Sequence, residues 1–371
     1  MRLLDRYLLR ELLVPLGFCL IGIQSFIVFV MAISDAGKLE EAKLGFGETI
    51  GYSAAVSLGL LTYVIPLALL LGLLMSLTHH ARHNELTAMR AAGVSLWRIC
   101  IPYFIIGLIA SGGVFVLNES VVPPCMDWAD RTLNRHIGPG NAARDVVRKF
   151  AFTNDRAQRQ WVFYGDYRAG SSDLPRLRVG WVLPDGSQRG LTADGAVHTN
   201  GVWVFYNVQE FSQADTPSMP VPILETNILA MPEFDETPAD IAREIKMAHF
   251  FDVKEQNPNI PLKDILDYMQ WHPNMSRGDR GRLLTELQER IAMPVTCIVV
   301  ALIAIPFGAT PGRRNLFFGV AGSIFICLVY FFVQRVSLAF GSSGAWPAWL
   351  AAWLPNLFFG ISGLYLMSRI R

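Results

Sequence analysis

The chain has 371 residues, of which 52% are hydrophobic and 17% are charged, and its formal net charge is +1. A soluble globular protein carries charge on roughly 25% of its residues, so this composition is typical of a membrane protein. The near-neutral balance disfavours a nucleic-acid partner, because proteins that bind nucleic acid present an excess of basic residues.

Six apolar stretches fall into two groups of three. Three lie before Glu119 and three lie after Glu289, and a long polar segment separates the groups. Each stretch has about 20 residues, which is enough to cross a bilayer as a helix. The predicted spans cover residues 13–33, 56–78, 99–117, 291–309, 316–333 and 346–367.

This layout predicts a membrane protein with six transmembrane α-helices, three before and three after an inserted domain. The N-terminal half covers residues 1–120, the inserted domain 121–281 and the C-terminal half 282–371. A chain of this length has room for two or three domains, in agreement with that division.

Arginines are concentrated on one side of the six predicted spans. The short loops and termini on that side hold Arg2, Arg6, Arg10, Arg82, Arg90, Arg98, Arg313, Arg314, Arg369 and Arg371. The opposite short loops hold Lys38, Lys43 and Arg335. Because loops rich in basic residues stay in the cytoplasm, we expect both termini to be cytoplasmic and the inserted domain to lie outside the cytoplasm.

The inserted domain shows mostly strand patterns. Aromatic and β-branched residues are frequent over 160–168, 177–183, 191–198, 202–211 and 221–229. Asn200-Gly201 and Pro184-Asp185-Gly186 are turn signals between these segments. Helical patterns return over 240–247, 262–271 and 282–290. Cys125 is the lone cysteine of this domain, so packing rather than an internal disulfide is expected to stabilise it.

Two of the predicted strands are apolar on both faces. Trp161 and Phe163 share one face of the first, and Trp203 and Phe205 share one face of another. A sheet with one wet face alternates apolar with polar residues, so both faces are expected to be covered. Two interpretations follow for the four aromatic residues: they form the core of a β-sandwich, or they line a groove for an acyl chain.

No nucleotide-binding or hydrolytic motif is present. The sequence lacks G-x-x-x-x-G-K-[ST], H-E-x-x-H and G-x-S-x-G, so we expect a subunit that is not an enzyme and binds no cofactor of its own. His79, His80 and His83 form a cluster after the second span. A metal site there lacks a nearby cysteine or carboxylate pair as further ligands, and a polar cap at the membrane interface is the alternative.

The loop after the second span predicts a short cytoplasmic helix over residues 84–93. Asn84 is a candidate N-cap, and Gly93 is a candidate C-terminal stop. The helix is either an ordinary interfacial helix or a coupling helix that docks into a separate ATPase. In the second case Leu86 and Met89 supply an apolar contact, and Glu85 pairs with a basic residue of the ATPase. The candidate coupling residues are Glu85, Leu86, Met89 and Arg90.

Several short motifs resemble one family in their order and spacing. They are Leu4-Asp5-Arg6-Tyr7-Leu8, Ile65-Pro66-Leu67-Ala68-Leu69-Leu70-Leu71-Gly72, Asn84-Glu85-Leu86 with Ala91-Ala92-Gly93-Val94-Ser95, and Glu289-Arg290-Ile291-Ala292-Met293-Pro294 with Ile305-Pro306-Phe307-Gly308. The chain resembles the LptF/LptG (YjgP/YjgQ) permeases of the lipopolysaccharide export ABC transporter over nearly its whole length.

The resemblance implies a set of partners and a location. It implies an inner-membrane heterodimer with a paralogous permease, a cytoplasmic LptB-like ATPase dimer that uses ATP and Mg, a single-span LptC-like protein and a periplasmic bridge protein. The cargo is lipopolysaccharide, the inserted domain is a periplasmic β-jellyroll, and Glu85 matches the glutamate of the family's coupling helix.

Lipopolysaccharide carries phosphates, which basic side chains near the outer membrane face could bind. The candidates are Lys38, Lys43, Arg282, Arg290 and Arg335. Arginine suits phosphate because its guanidinium offers paired N–H donors, whereas the alternative is snorkelling at the interface. Some family members carry basic residues at the outer end of the first helix, but residues 32–37 here hold none.

Two other functions fit the sequence less well. Another ABC exporter, of the lipoprotein-release or efflux type, usually carries its large domain after the first span rather than the third. An intramembrane lipid-modifying enzyme needs titratable residues at membrane depth, and the predicted spans hold almost none.

Overall fold

The computed structural model describes residues 3–136, 146–168, 170–183, 187–213, 221–251, 260–308 and 316–369. It divides into two units, each with its own packed interior. The membrane unit comprises Met1–Leu39, Gly45–Ala129 and Arg277–Arg371. The sheet unit comprises Glu40–Leu44 and Asp130–Ser276.

Helices account for the described residues before the sheet and after it. The first group is α1 (Leu3–Ser34), α2 (Ala36–Ala42), α3 (Phe46–Arg82), α4 (Glu85–Ala91), α5 (Leu96–Val116), a π-helical turn (Leu117–Val121) and α6 (Val122–His136). Two helices follow the sheet, α7 (Pro238–Phe251) and α8 (Leu262–Trp271). The last group is α9 (Arg277–Gly308), α10 (Leu316–Ser342) and α11 (Ala348–Arg369).

Six of the described helical segments are long and apolar enough to cross a membrane. They are Leu3–Ser34, Phe46–Arg82, Leu96–Leu133, Arg277–Gly308, Ile324–Ser342 and Ala348–Arg369. Together with the inserted antiparallel sheet, they confirm the predicted fold class. Several run beyond the predicted spans, because hydropathy detects the apolar part of a helix and misses its polar end turns.

Small residues set the close approaches between these helices. A Cβ atom on Gly72 of α3 would lie 2.9 Å from the Leu16 Cα of α1. One on Gly341 of α10 would lie 2.6 Å from the Ala351 Cβ of α11. Apolar area gives little driving force between helices in lipid, so close backbone packing at glycine supplies much of the association.

Eight antiparallel strands form one curled sheet. The strands are β1 (Val146–Asn154), β2 (Arg159–Arg168), β3 (Asp173–Leu174), β4 (Leu177–Val182), β5 (Gln188–Ala193), β6 (Gly195–Thr199), β7 (Val202–Gln213) and β8 (Val221–Met231). Their order is β1-β2-β4-β5-β7-β6-β3, with β8 also paired to β7. The long strand β7 pairs with β6 near its start, with β5 near its end, and with β8 along most of its length.

The hairpin predicted at Asn200-Gly201 is confirmed. Both residues have positive φ, 53° and 81°, and Thr199 pairs directly with Val202. This is the geometry of a two-residue type I′ turn, in which asparagine and glycine tolerate the left-handed backbone. The second turn signal, at residues 184–186, lies outside the described residues.

Two features of the sheet differ from the prediction. The single strand expected over 191–198 is two strands, β5 and β6, which are interrupted at Asp194. Strand β1 was not predicted, since its Arg148 and Lys149 break the apolar alternation.

Candidate functional site: a coupling helix and an aromatic interior

Helix α4 begins and ends with left-handed residues. Asn84 precedes it with φ 55° and ψ 19°, and its side chain makes no capping hydrogen bond. After the helix, Gly93 has φ 83° and donates its N–H to the Arg90 carbonyl at 3.0 Å. Val94 donates to the Met89 carbonyl at 3.1 Å, which completes a Schellman motif. The predicted stop at Gly93 is therefore confirmed.

One side of α4 belongs to the core of the membrane unit. Leu86 is 5% exposed and Met89 packs against the same apolar cluster, which includes Leu77 and Ile99. In the coupling interpretation Leu86 and Met89 contact a partner; within this chain Leu86 is buried and Met89 is half-buried against the chain's own apolar cluster. The exposed side of the helix carries Thr87, Ala88 and Ala91, with Arg90 half-buried beside them.

The Glu85 carboxylate joins three elements. Its Oε2 accepts a hydrogen bond from the Tyr7 hydroxyl of α1 at 2.9 Å and lies 2.7 Å from Nδ1 of His80 on α3. An ionised carboxylate only accepts hydrogen bonds, so the His80 Nδ1 must carry the hydrogen. His80 is fully buried, whereas the Glu85 side chain keeps 32% of its surface exposed.

These contacts change the acidity of Glu85. Partial burial acts to raise its pKa, but the hydrogen bonds from His80 and Tyr7 outweigh that effect, and the net pKa lies below the usual value. The carboxylate is therefore ionised at neutral pH and has a negative charge to offer a basic group.

An ion pair links the same end of α1 to α5. The Arg98 guanidinium of α5 donates to both carboxylate oxygens of Asp5 at 3.1 Å. Sequence reasoning named Glu85 but missed Tyr7 and His80 as its partners. His80 stood in the histidine cluster and Tyr7 in the first family motif, but nothing in the sequence indicated that they meet.

The three histidines make different contacts. The His79 ring lies 4.5 Å from the His83 ring and 6.0 Å from the His80 ring, while Nδ1 of His80 is bonded to Glu85. Among the residues that the structure describes, no three histidine, cysteine, aspartate or glutamate side chains are grouped as metal ligands.

The candidate phosphate-binding side chains differ in how exposed they are. Lys43 is exposed, and Arg335 is exposed with its guanidinium donating to the Tyr63 hydroxyl at 3.0 Å. Arg282 is half-buried and has an interaction partner. The side chain of Lys38 lies outside the described part of the chain.

Arg290 is held inside the membrane unit. It is 5% exposed, its Nε donates to Glu286 at 3.3 Å, and a terminal nitrogen donates to the Asn118 carbonyl at 3.3 Å. That carbonyl is available because of the π-helical turn: the Val122 N–H bonds to Leu117, and Pro123 has no N–H. Arg290 therefore completes the helix backbone and has little surface for a phosphate.

The four aromatic residues singled out in the sheet form a packed interior. Trp161, Phe163, Trp203 and Phe205 are all fully buried. The Trp161 ring lies 5.8 Å from Trp203, 6.2 Å from Phe205 and 5.5 Å from Phe234. In this structure they are residues of the hydrophobic core of the sheet unit. The opposite face is partly exposed, with Tyr164 at 44%, so it is not covered as expected.

The segment that follows β8 is held against β2 by contacts of Arg159. The Arg159 guanidinium lies over the Phe234 ring at 4.9 Å and donates to Asp235 at 2.7 Å and to Glu236 at 2.8 Å. The other oxygen of Glu236 accepts from the Asn154 amide at 2.9 Å, so this fully buried carboxylate is bonded on both sides.

Six long apolar helical segments, three before and three after the curled sheet in chain order, define a multi-pass membrane protein with a large domain inserted between its two halves. The family model for the lipopolysaccharide export system permease LptF/LptG matches residues 6–369, and the chain belongs to this family. The resemblance found in the motifs is thereby confirmed. No curated protein gives a significant match. The chain is a multi-pass inner-membrane permease subunit for lipopolysaccharide export.

Proposed function

We propose that this chain is one permease half of an ABC transporter that extracts lipopolysaccharide from the inner membrane and passes it through the sheet unit toward the outer membrane. It works as a heterodimer with a paralogous permease. An LptB-like ATPase dimer on the cytoplasmic side supplies ATP and Mg chemistry, and an LptC-like single-span protein and a periplasmic bridge protein receive the cargo.

The observation that carries this proposal is the state of Glu85. Its Oε2 is bonded within the chain, and no described residue donates a hydrogen bond to its Oε1. An ionised and partly exposed oxygen at the start of α4 suits a basic residue of the ATPase. The exposed Thr87, Ala88 and Ala91 offer a small, flat surface beside it, and Arg90 flanks it.

A purification of the assembled transporter tests the coupling role. We expect Glu85→Ala to reduce the ATPase that copurifies with the permease pair by about tenfold, the loss typical of a hydrogen bond to a charged group. Glu40→Ala, at an exposed position of α2, is the matched control. Unchanged assembly and unchanged lipopolysaccharide export in Glu85→Ala would contradict the proposal.

The proposed orientation places both termini and α4 in the cytoplasm and the sheet unit in the periplasm. Cysteine substitutions at the exposed Ala88 and Ser172 in a background without the five native cysteines test it. In intact cells with a permeabilised outer membrane, an impermeant maleimide should label Ser172→Cys and spare Ala88→Cys. The reverse pattern would refute the orientation.

The aromatic interior of the sheet unit is the proposed acyl route, and it must open for a chain to enter. A photoreactive residue in place of Phe163 or Phe205 should capture lipopolysaccharide only when ATP is supplied. The same residue at Tyr164, on the opposite face of β2, is the control. Equal capture at Tyr164 and Phe163 would show that the interior is not the route.

For the phosphates we propose Lys38, Lys43, Arg282 and Arg335, and we leave out Arg290 because it is buried and bonds to Glu286 and Asn118 within the chain. Arg335 is the best placed, since its guanidinium is exposed and held by Tyr63. Arg335→Gln should weaken lipopolysaccharide binding more than Arg335→Lys, which keeps the charge. Equal binding of wild type and Arg335→Gln would favour snorkelling.

A further inference from the structure

Tyr7, His80 and Glu85 form a cluster that the coupling function does not by itself require. They come from α1, from the end of α3 and from the start of α4, and both partners bond to the same carboxylate oxygen. The rings of Tyr7 and His80 also contact each other, with centroids 5.5 Å apart. The surroundings include two further titratable groups, Glu11 near Tyr7 and His79 near Glu85.

His80 lowers the stability of the fold at this position. Its ring is fully buried, and its Nε2 atom has no hydrogen-bond partner among the described residues. A buried polar atom without a partner destabilises a fold, and an apolar residue of similar size avoids that cost. What His80 adds in exchange is the N–H that it donates to Glu85.

The cluster bonds only one of the two carboxylate oxygens of Glu85. Tyr7 and His80 converge on Oε2 from within the chain, which leaves Oε1 to the exposed side. A free glutamate side chain samples several rotamers, whereas one with two donors on a single oxygen is fixed in one of them. The direction of Oε1 is therefore determined by Tyr7 and His80.

Helix α1 is the element to which this contact can pass motion. Leu8 and Leu12, close to Tyr7 on the helix, are fully buried in the same core cluster as Leu86 of α4. Farther along α1, Phe18, Phe26 and Phe29 are more than half exposed. The end of α1 that carries Tyr7 is therefore packed together with α4, and the rest of the helix follows from that end.

We propose that Tyr7 and His80 are positioning residues that aim Glu85 at the partner ATPase and pass the motion of α4 to α1. The inference rests on the coupling function proposed above. It adds that docking and transmission are separate: Glu85 binds the ATPase, whereas Tyr7 and His80 make that binding effective. Tyr7 carries the motion directly, because it is the α1 residue in the cluster.

The test uses the full transporter in proteoliposomes that contain lipopolysaccharide. Two quantities are measured: the ATPase retained on the permease pair, and the lipopolysaccharide released for each ATP hydrolysed. The variants are Tyr7→Phe, which removes one hydroxyl, His80→Leu, which removes the N–H, and His80→Asn. The amide nitrogen of asparagine lies as far along the side chain as Nδ1, so it restores the donor. His83→Leu is the matched control, since His83 is exposed and its ring contacts His79 rather than Glu85.

We expect Tyr7→Phe and His80→Leu to retain the ATPase but to lower lipopolysaccharide release per ATP by about tenfold, the change that losing one hydrogen bond to a charged group produces. His80→Asn should recover most of that ratio, and His83→Leu should leave it unchanged. A purely structural role would lower folded yield and spare the ratio.

The Glu85→Ala variant distinguishes a wrong positioning role from a wrong coupling function. If Glu85→Ala loses the ATPase while Tyr7→Phe and His80→Leu release as much lipopolysaccharide per ATP as wild type, the positioning role is wrong and the coupling function stands. If Glu85→Ala itself changes neither quantity, both proposals are wrong. If His80→Leu does not fold, Tyr7→Phe decides the question alone, because it keeps the ring.

Discussion

The chain holds two carboxylates that meet their partners in opposite ways. Glu236 in the sheet unit is fully buried, and its two oxygens are bonded by Asn154 and Arg159. Glu85 in the membrane unit is partly exposed, and both of its partners use one oxygen. A closed arrangement has nothing left to offer another molecule, whereas the half-used carboxylate does. The difference distinguishes a group that holds the fold from one that is free to recognise a partner.

The largest expected loss of stability comes from removing the arginine that bonds Glu236. Arg159→Ala leaves the Glu236 carboxylate buried with Asn154 alone, and loss of one partner of a buried pair costs about 3–5 kcal/mol. We expect the sheet unit to become sensitive to protease at a much lower urea concentration. Limited proteolysis of the purified chain across a urea series measures this.

Two control variants test whether the buried charge causes the loss of stability in Arg159→Ala. Asp235→Asn removes the negative charge of the Arg159 partner that is 77% exposed, and exposed ion pairs contribute only about 0–1 kcal/mol. Arg159→Met with Glu236→Leu removes both charges and should recover much of the stability. If Arg159→Ala is no more sensitive than Asp235→Asn, the buried carboxylate does not need its arginine and the comparison fails.

The next effect concerns the end of α4. Gly93 has φ 83°, and a non-glycine residue in that conformation costs about 1–2 kcal/mol. A Cβ there would meet no atom within 4 Å, so backbone strain is the whole expected cost. Gly93→Ala should loosen α4 and reduce ATPase copurification. Gly17→Ala, at a position with equal space in α1, should not; equal effects of the two would contradict the importance of the stop.

A closed polar network in the C-terminal half extends the comparison. Tyr330 lies 2.7 Å from the Thr296 hydroxyl and donates to Asn356 at 2.6 Å, and Asn356 donates to the Ala292 carbonyl. Tyr330→Phe should lower the free energy of unfolding in detergent by about 1 kcal/mol, the size measured for hydrogen bonds in membrane helices. Transport per ATP should not change. Tyr365→Phe, on the exposed side of α11, is the control.

The sequence predicted the parts of this structure that depend on local pattern. Hydropathy located the six spans, Asn200-Gly201 located a hairpin, and Gly93 located the end of α4. Contacts between distant residues left no such signal: Tyr7 and Glu85 are 78 residues apart, and Arg159 and Glu236 are 77 apart. Leu86 shows the same limit, because an apolar residue on a short helix fits either a partner or the chain's own core until the fold selects one.

The smallest effect depends on pH. Burial acts to lower the pKa of His272, but Glu244 at 2.9 Å and Asp155 at 3.7 Å outweigh it, so the net pKa lies above the usual 6.5. A raised histidine pKa adds stability that is fully present below about pH 6.5 and is lost as the pH rises through the value in the folded chain. Glu85 has the opposite sign: its lowered pKa adds stability above the usual 4.5 that is lost as the pH falls.

Thermal unfolding followed from about pH 6 to about pH 9 measures the histidine contribution. The melting temperature of the sheet unit should fall by about 2 °C over that range. His272→Gln should remove this part of the fall. An identical pH profile in the variant would show that His272 gains nothing from its two carboxylates.

The π-helical turn at Leu117–Val121 makes one membrane-spanning helix tolerant of a deletion at that turn and sensitive to a deletion elsewhere. A π turn holds more residues than an α turn, because its hydrogen bonds span five residues rather than four. Removal of one residue there would restore α-helical spacing and keep the later residues close to their present direction, including Trp128, whose ring lies where a Cβ on Gly51 would be only 2.6 Å away. Removal of one residue from the regular part of the same helix would instead rotate every later residue by about 100° and take Trp128 away from its site on α3.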